Sequence, residues 1–223
     1  MIAARMRAEL SLKLQLSPGL TLFFCVPYFA LQAMPVFDVR TLPLTLIDRA
    51  VGFTPAWVWV YQSVYLLIAG VPWLAVDRDT LLRYARGFVL LSTLGFGCFL
   101  FVPIAAPRPA EIPASGMFAL LASYDGVSNA FPSLHCGLAA YTILLAAGMA
   151  RGALTPRVRV AVIGVLGAWG LLVCYATLAT KQHYFVDIPA GVLLAWLSHR
   201  WAWRTAAPAA PRAAWRPPEV RRA

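Results

Sequence analysis

Charge is scarce in this sequence. Asp, Glu, Lys and Arg make up 13% of its residues, against about 25% for an average soluble domain. Hydrophobic residues reach 61% and the mean hydropathy is +0.70, so a soluble globular class is excluded and an integral membrane protein is indicated. Cysteine is sparse too. Cys25, Cys98, Cys136 and Cys174 all lie in apolar runs without C-x-x-C spacing, which argues against a disulfide framework or a zinc ribbon and for small buried hydrophobes. Only three histidines occur, none in a histidine-rich cluster. No internal repeat is visible, and the length of 223 residues fits one domain.

What the sequence has in abundance is long uncharged runs. Crossing about 30 Å of hydrocarbon takes about 20 mostly apolar residues. Six stretches qualify, at roughly 18–36, 55–76, 87–104, 134–150, 160–179 and 184–203. The first five contain no Asp, Glu, Lys or Arg, and the sixth holds Asp187 near its start and Arg200 near its end. The first run is long for a signal-peptide core and no clean A-x-A site follows, so it reads as a retained span. The expected fold is all-α, a membrane domain over residues 1–204 built as a bundle of six transmembrane helices.

The net charge of +10 follows from how the basic residues are distributed among the connections. With six spans, fifteen of the 19 Lys and Arg residues fall on one side, including both terminal segments and the 78–86 and 151–159 arginines. Arg40, Arg49, Arg108 and Lys181 fall on the other. The positive-inside rule then puts both termini in the cytoplasm, with no nucleic-acid partner needed to explain the charge. Residues 205–223, rich in Ala, Pro and Arg, read as a disordered basic cytoplasmic tail. The 105–132 connection becomes a long external loop whose MFALLASYDG segment has the makings of a short interfacial helix. Gly164, Gly167 and Gly170 recur every three residues in the fifth run and suggest a close helix-packing face.

Under that topology Arg108, Ser133, His135, Lys181, His183 and Asp187 collect on the external side, around the starts of the fourth and sixth runs. His183 and Asp187 are four apart, one helical turn on the same face. A carboxylate in a spanning segment costs about 2.5–3.5 kcal/mol on insertion scales, so such residues are rarely idle. Paired with an imidazole N–H, it fixes the tautomer and makes the opposite ring nitrogen a better nucleophile. His135 supplies a second imidazole to protonate a leaving oxygen. Ser133 and the amides beginning the fourth helix suit phosphate oxygens, and Arg108 and Lys181 supply the positive charge a phosphoryl transition state needs. Taken singly, each has a plainer use: Ser133 as a helix cap after Pro132, Arg108 as an interfacial anchor, Lys181 as a loop lysine. Their meeting at one depth on one side is what favours a site.

The segments FPSLHCG and HYFVD resemble the type 2 phosphatidic acid phosphatase superfamily, in particular its inositol phosphorylceramide synthase-like branch, which pairs a Pro-Ser-Leu-His segment with a His-Tyr-x-x-Asp segment. The likeness spans roughly residues 85–200. It implies a six-span enzyme with an external site, acting without cofactor or metal on a phospholipid or lipid-linked phosphate, in a bacterial plasma membrane. By that likeness His183 is the nucleophile that becomes phosphohistidine, Asp187 orients it, His135 is the acid–base, and Ser133 and Arg108 hold the phosphate. The sequence also departs from the superfamily. Phe101 stands where a lysine commonly precedes the arginine by seven positions. Ala176 and Thr177 replace the Ser-Arg pair, and Leu134 replaces a glycine common in phosphatases. These departures suit the synthase-like branch better, with Lys181 as a candidate substitute for a missing anchor, while water or an alcohol stays open as acceptor. Two other classes compete: a two-histidine, one-carboxylate metal site, and a transporter using His and Asp as a proton relay. A transporter is expected to place its polar groups at the bilayer midplane.

Overall fold

The computed structural model describes residues 2–204; the expected tail at 205–223 lies outside them. The chain is helical throughout the bundle. A short helix α1 (Ile2–Arg7) leads into α2 (Leu10–Ala33), and α3 (Leu46–Ala50) lies in the next connection. Residues Pro55–Leu74 form α4 (Val58–Gln62) and α5 (Val64–Gly70) between two 3₁₀ turns. Then come α6 (Arg78–Phe101), α7 (Met117–Tyr124), α8 (Leu134–Ala153), α9 (Pro156–Ala179) and α10 (Asp187–Arg204). Five of these segments are long and apolar enough to cross a membrane: α2, Pro55–Leu74, α6, α8 and α9. The sixth expected run is a helix as well, but α10 has only 18 residues and carries Asp187, Arg200 and Arg204.

Local chemistry explains the boundaries. Asp77 caps α6 by accepting the Thr80 N–H at 2.8 Å, and Pro156 opens α9, where a missing N–H costs nothing. The second run is broken at Ser63, whose hydroxyl donates to the Val60 carbonyl at 2.6 Å and accepts the Trp169 indole N–H at 2.8 Å. Such back-bonding of serine to its own helix competes with the regular ladder. α2 starts eight residues before the expected run because Lys13 is buried. Its ammonium donates to the carbonyls of Arg5 at 2.7 Å and Trp73 at 2.8 Å.

Helix α8 sits at the centre, packed against α10, α9, α6 and α5. Without a hydrophobic drive between helices in lipid, close approach through small residues decides which pairs bind. The close pair is Gly137 on α8 and Gly191 on α10: a Cβ on Gly191 would overlap the Ser133 carbonyl, and one on Gly137 would lie 3.0 Å from the Gly191 carbonyl oxygen. The expected Gly164–Gly167–Gly170 face is corrected here. Gly164 and Gly167 have open space where a Cβ would be, and only Gly170 meets a neighbour, Ile143. A repeat of small residues on one helix says nothing about whether a partner lies over it. On the far side α2 rests on α6, with Phe24 tilted against Phe88 and Phe96 at ring separations of 6.1 and 5.6 Å.

One end of the bundle is closed by extended chain. Arg40, Ile104 and Asn129 lie side by side in two isolated parallel bridges. Helix α7 folds onto this end as well, burying Phe118 and Leu121 with Val58, Tyr61 and Ala176.

Candidate active site

The site forms where α8 and α10 begin, under that extended chain. Ser133 ends the approach to α8 in an extended conformation and caps it, its Oγ accepting the Cys136 N–H at 3.3 Å. Its own N–H donates to the Asp187 carbonyl at 3.0 Å. The two motifs, 48 residues apart at their histidines, are therefore tied by main chain, and the Gly137–Gly191 contact keeps them tied.

His183 lies in the short turn between α9 and α10, 6% exposed. Its Nδ1 faces two acceptors, the Ala130 carbonyl at 2.7 Å and Asp187 Oδ2 at 3.3 Å. An imidazole nitrogen between two acceptors carries the proton, which leaves the lone pair on Nε2. Asp187 Oδ2 also accepts the Tyr184 N–H at 2.8 Å, while Oδ1 is buried with no hydrogen-bond partner. His183 and Asp187 are adjacent, but not on the shared helical face expected of them: α10 starts at Asp187 and His183 reaches it from the preceding turn. The stronger grip, from Ala130, was not foreseen. It depends on the bridge that carries the Ala130 N–H to the Ile104 carbonyl at 3.0 Å, a long-range main-chain contact with no trace in the local pattern.

His135, in the first turn of α8, stands opposite, its ring centroid 6.1 Å from that of His183. Tyr61 stacks on it at 4.0 Å with the hydroxyl 3.2 Å from Nδ1, and Tyr65 meets it edge-on at 5.6 Å. Its Nε2 is buried without a partner. Tyr61 and Tyr65 are aromatic residues in an apolar run, and nothing in their spacing singles them out as neighbours of a histidine.

Arg108 reaches Gln182, the residue beside His183. Its Nη2 donates to Gln182 Oε1 at 2.8 Å and to the carbonyls of Asp125 and Gly126, and stands 3.8 Å from Asp125 Oδ2; Nε is buried and unpartnered. Asp125 in turn accepts from the Tyr28 hydroxyl at 3.0 Å and Gln32 Nε2 at 2.8 Å. Lys181 points elsewhere. It adopts a left-handed conformation (φ 55°) and its ammonium donates to the carbonyls of Asp48 and Val51. Burial pushes its pKa below the usual lysine value, opposed by the charge of Asp48. Asp48, 3% exposed, accepts the Phe185 N–H at 2.7 Å and both the N–H and hydroxyl of Thr45. The α3 segment thereby holds the turn that carries His183.

The positions where the superfamily's anchors are absent are filled without cations. Phe101 is 65% exposed, Ala176 packs against Tyr61, and the Thr177 hydroxyl donates to the Cys174 carbonyl at 2.7 Å. Leu134 packs against Gly95, where a Cβ would meet it at 2.6 Å. Among the described residues no three His, Cys, Asp or Glu side chains are gathered as a metal ligand set. Two imidazoles, a carboxylate, a guanidinium and the start of a helix thus converge, with four polar atoms left unpaired: Arg108 Nε, His135 Nε2, Asp187 Oδ1 and Asn129 Oδ1. Buried polar groups without partners are rare in a settled interior; Arg108 Nε is a donor suited to an anionic ligand, whereas Asp187 Oδ1 and Asn129 Oδ1 can only accept.

No curated protein and no solved structure matches the chain. The family model of the PAP2 superfamily matches residues 28–201. That match extends further toward the N-terminus than the motifs alone suggest, and it takes in Tyr28, Gln32 and Tyr61. Members of this superfamily act on phosphate esters. A match across most of the length, with both histidine motifs meeting in one site, means that this integral membrane helical bundle belongs to the PAP2 superfamily.

Proposed function

We propose that the protein is a six-span membrane phosphotransferase that moves a phosphoryl-bearing headgroup between lipid alcohols through a phosphohistidine, as in the inositol phosphorylceramide synthase-like branch. The observation that carries this reading is the placement of His183, whose Nδ1 is held by Ala130 and Asp187, so that Nε2 is the free nucleophile, with His135 facing it at 6.1 Å between ring centroids. In the first half-reaction His183 Nε2 attacks phosphorus, the P–O bond to the leaving alcohol breaks, and His135 gives that oxygen its proton. In the second, an acceptor alcohol loses its proton to His135 and its oxygen displaces the phosphoryl group from Nε2, which restores the enzyme. Asp187 stabilises the charge that His183 acquires on attack. Arg108, the Ser133 hydroxyl and the first amides of α8 hold the non-bridging oxygens, where the helix dipole favours an anion.

The charge balance favours transfer from a phosphodiester over hydrolysis of a phosphomonoester. Arg108 enters the site already facing Asp125, and Lys181 is directed at carbonyls away from it. A monoanionic diester matches one shared guanidinium better than a dianion does. The membrane domain is residues 1–204, with this site on the external side and Lys181 bracing the turn.

The test offers purified protein a panel of labelled phospholipids with and without alcohol acceptors, scoring transferred headgroup against free phosphate. Transfer is expected, with an acid-labile phosphoenzyme. His183→Ala and His135→Ala are each expected to lose about three orders of magnitude or more while still inserting. Full activity of either variant on phospholipid overturns the reading, and release of free phosphate alone makes the protein a lipid phosphate phosphatase.

A further inference from the structure

Gln182 immediately precedes His183 in sequence and belongs to no motif so far used. It is 4% exposed. Its main-chain N–H donates to the Thr177 carbonyl at 3.0 Å, the same oxygen that takes the His183 N–H at 3.3 Å. Its side-chain Nε2 donates to the Thr180 carbonyl at 3.2 Å. A carbonyl accepts only from the NH₂ end of an amide, which settles the orientation and turns Oε1 toward Arg108 Nη2 at 2.8 Å. One side chain therefore joins the guanidinium on the 105–132 connection to the turn bearing His183.

From this contact we infer that Gln182 is a positioning residue, setting Arg108 in register with the His183 imidazole so that a phosphoryl group bound by one lies in line with the other. The inference rests on the proposed phosphoryl transfer. Arg108 arrives on a long connection and His183 on a short turn. Without a direct link, their separation would follow every fluctuation of that connection. Asp125 and the Gly126 carbonyl hold the guanidinium from the loop side, and Gln182 holds it from the catalytic side. All these bonds engage Nη2, while Nε stays buried and unpartnered and so free to donate to a ligand oxygen.

The neutrality of the amide matters as much as its shape. A carboxylate at 2.8 Å would pair with the guanidinium and compete with the substrate's phosphate for its charge. An amide oxygen orients the group and leaves the charge available.

The variants Gln182→Leu, Gln182→Glu and Arg108→Ala, with the double variant Gln182→Leu/Arg108→Ala, are assayed as purified protein in lipid vesicles containing phospholipid donor and alcohol acceptor. Gln182→Leu is expected to raise KM for the phospholipid about tenfold, the typical cost of losing a hydrogen bond to a charged group. Gln182→Glu is expected to raise it at least as much, since it keeps the acceptor but loses the donor to Thr180 and pairs with the guanidinium; a Gln182→Glu variant with unchanged KM overturns the inference. In the Arg108→Ala background Gln182→Leu is expected to cost less than twofold more, because its effect runs through the guanidinium. A purely structural role predicts equal losses with and without Arg108, and that result overturns the inference while leaving phosphoryl transfer intact. Full activity of Arg108→Ala would instead remove Arg108 from phosphate binding, and Gln182 with it.

Discussion

Asp187 has two tasks at the scale of a single residue, and they can be separated. One oxygen accepts the Tyr184 N–H at 2.8 Å and faces His183 Nδ1 at 3.3 Å, and the carboxylate is fully buried. Asn at this position keeps an acceptor for the Tyr184 N–H, because that donor selects the amide oxygen, but it removes the charge. Asp187→Asn is therefore expected to fold normally and to lose about a hundredfold in kcat, with little change in KM. Asp187→Ala also strands the Tyr184 N–H in a buried position, which costs about 1–3 kcal/mol and should appear as a lower melting temperature in detergent. Activity of Asp187→Asn within twofold of the unmodified protein would leave orientation to Ala130 alone.

Ser133 shows the same economy. Its reading as a helix cap and its reading as a phosphate ligand use different parts of one hydroxyl. The lone pair takes the Cys136 N–H, and the proton can be given to a phosphate oxygen.

At the scale of elements, the contact between α8 and α10 sets the distance between the two histidine motifs. Gly191 faces the Ser133 carbonyl so closely that a Cβ has no room, and the obstacle is backbone that cannot turn aside. Gly191→Ala is expected to push the helix starts apart, to destabilise by about 1–3 kcal/mol and to abolish most activity. Gly164→Ala and Gly167→Ala meet nothing, remove a poor helix former from a helix interior, and should leave melting temperature and activity equal or slightly higher. A destabilised Gly164→Ala variant would indicate a partner on that face.

This pair of outcomes also marks how far the sequence can be read. The long helices were legible because lipid demands unbroken apolar runs, whatever their neighbours. The candidate site was legible in part because polar residues are rare elsewhere and both histidine motifs flank apolar runs; the shared helical face expected of His183 and Asp187 is not formed, since His183 lies in the turn before α10. What could not be read is where one segment touches another. Lys13 sits inside α2 because carbonyls of Arg5 and Trp73 take its ammonium, the second run breaks because Trp169 and Val60 share the Ser63 hydroxyl, and Lys181 serves the α3 segment. Each is a polar contact between distant stretches, and such contacts leave no period in a sequence.

At the scale of the whole molecule, topology turns on whether α10 crosses the bilayer: α6 keeps its four charges in its first turns and leaves an apolar stretch beyond them, whereas the 18 residues of α10 leave no such stretch free of Asp187, Arg200 and Arg204. Eighteen residues span about 27 Å at 1.5 Å per residue, close to the hydrocarbon thickness of about 30 Å. The charges are placed so that they do not oppose crossing. Asp187 is turned inward and fully buried, and Arg200 lies over the Trp196 ring at 4.8 Å in the last turn but one, within reach of an interface by snorkelling. Arg204 ends the helix. Between them the outward face is apolar, with Leu193, Trp196, Leu197 and Trp201 exposed, while Ala195, Ser198 and Ala202 face the bundle. A crossing α10 places both termini on one side of the membrane, the side that also collects fifteen of the 19 basic residues. Reporter fusions at the two ends should then give the same cytoplasmic signal, and a thiol probe at Glu111→Cys in the 105–132 connection should react from outside intact cells. Reporters on opposite sides would make α10 a helix that enters without crossing. The basic tail would then lie across the bilayer from the N-terminal arginines, against the pull of the positive-inside bias.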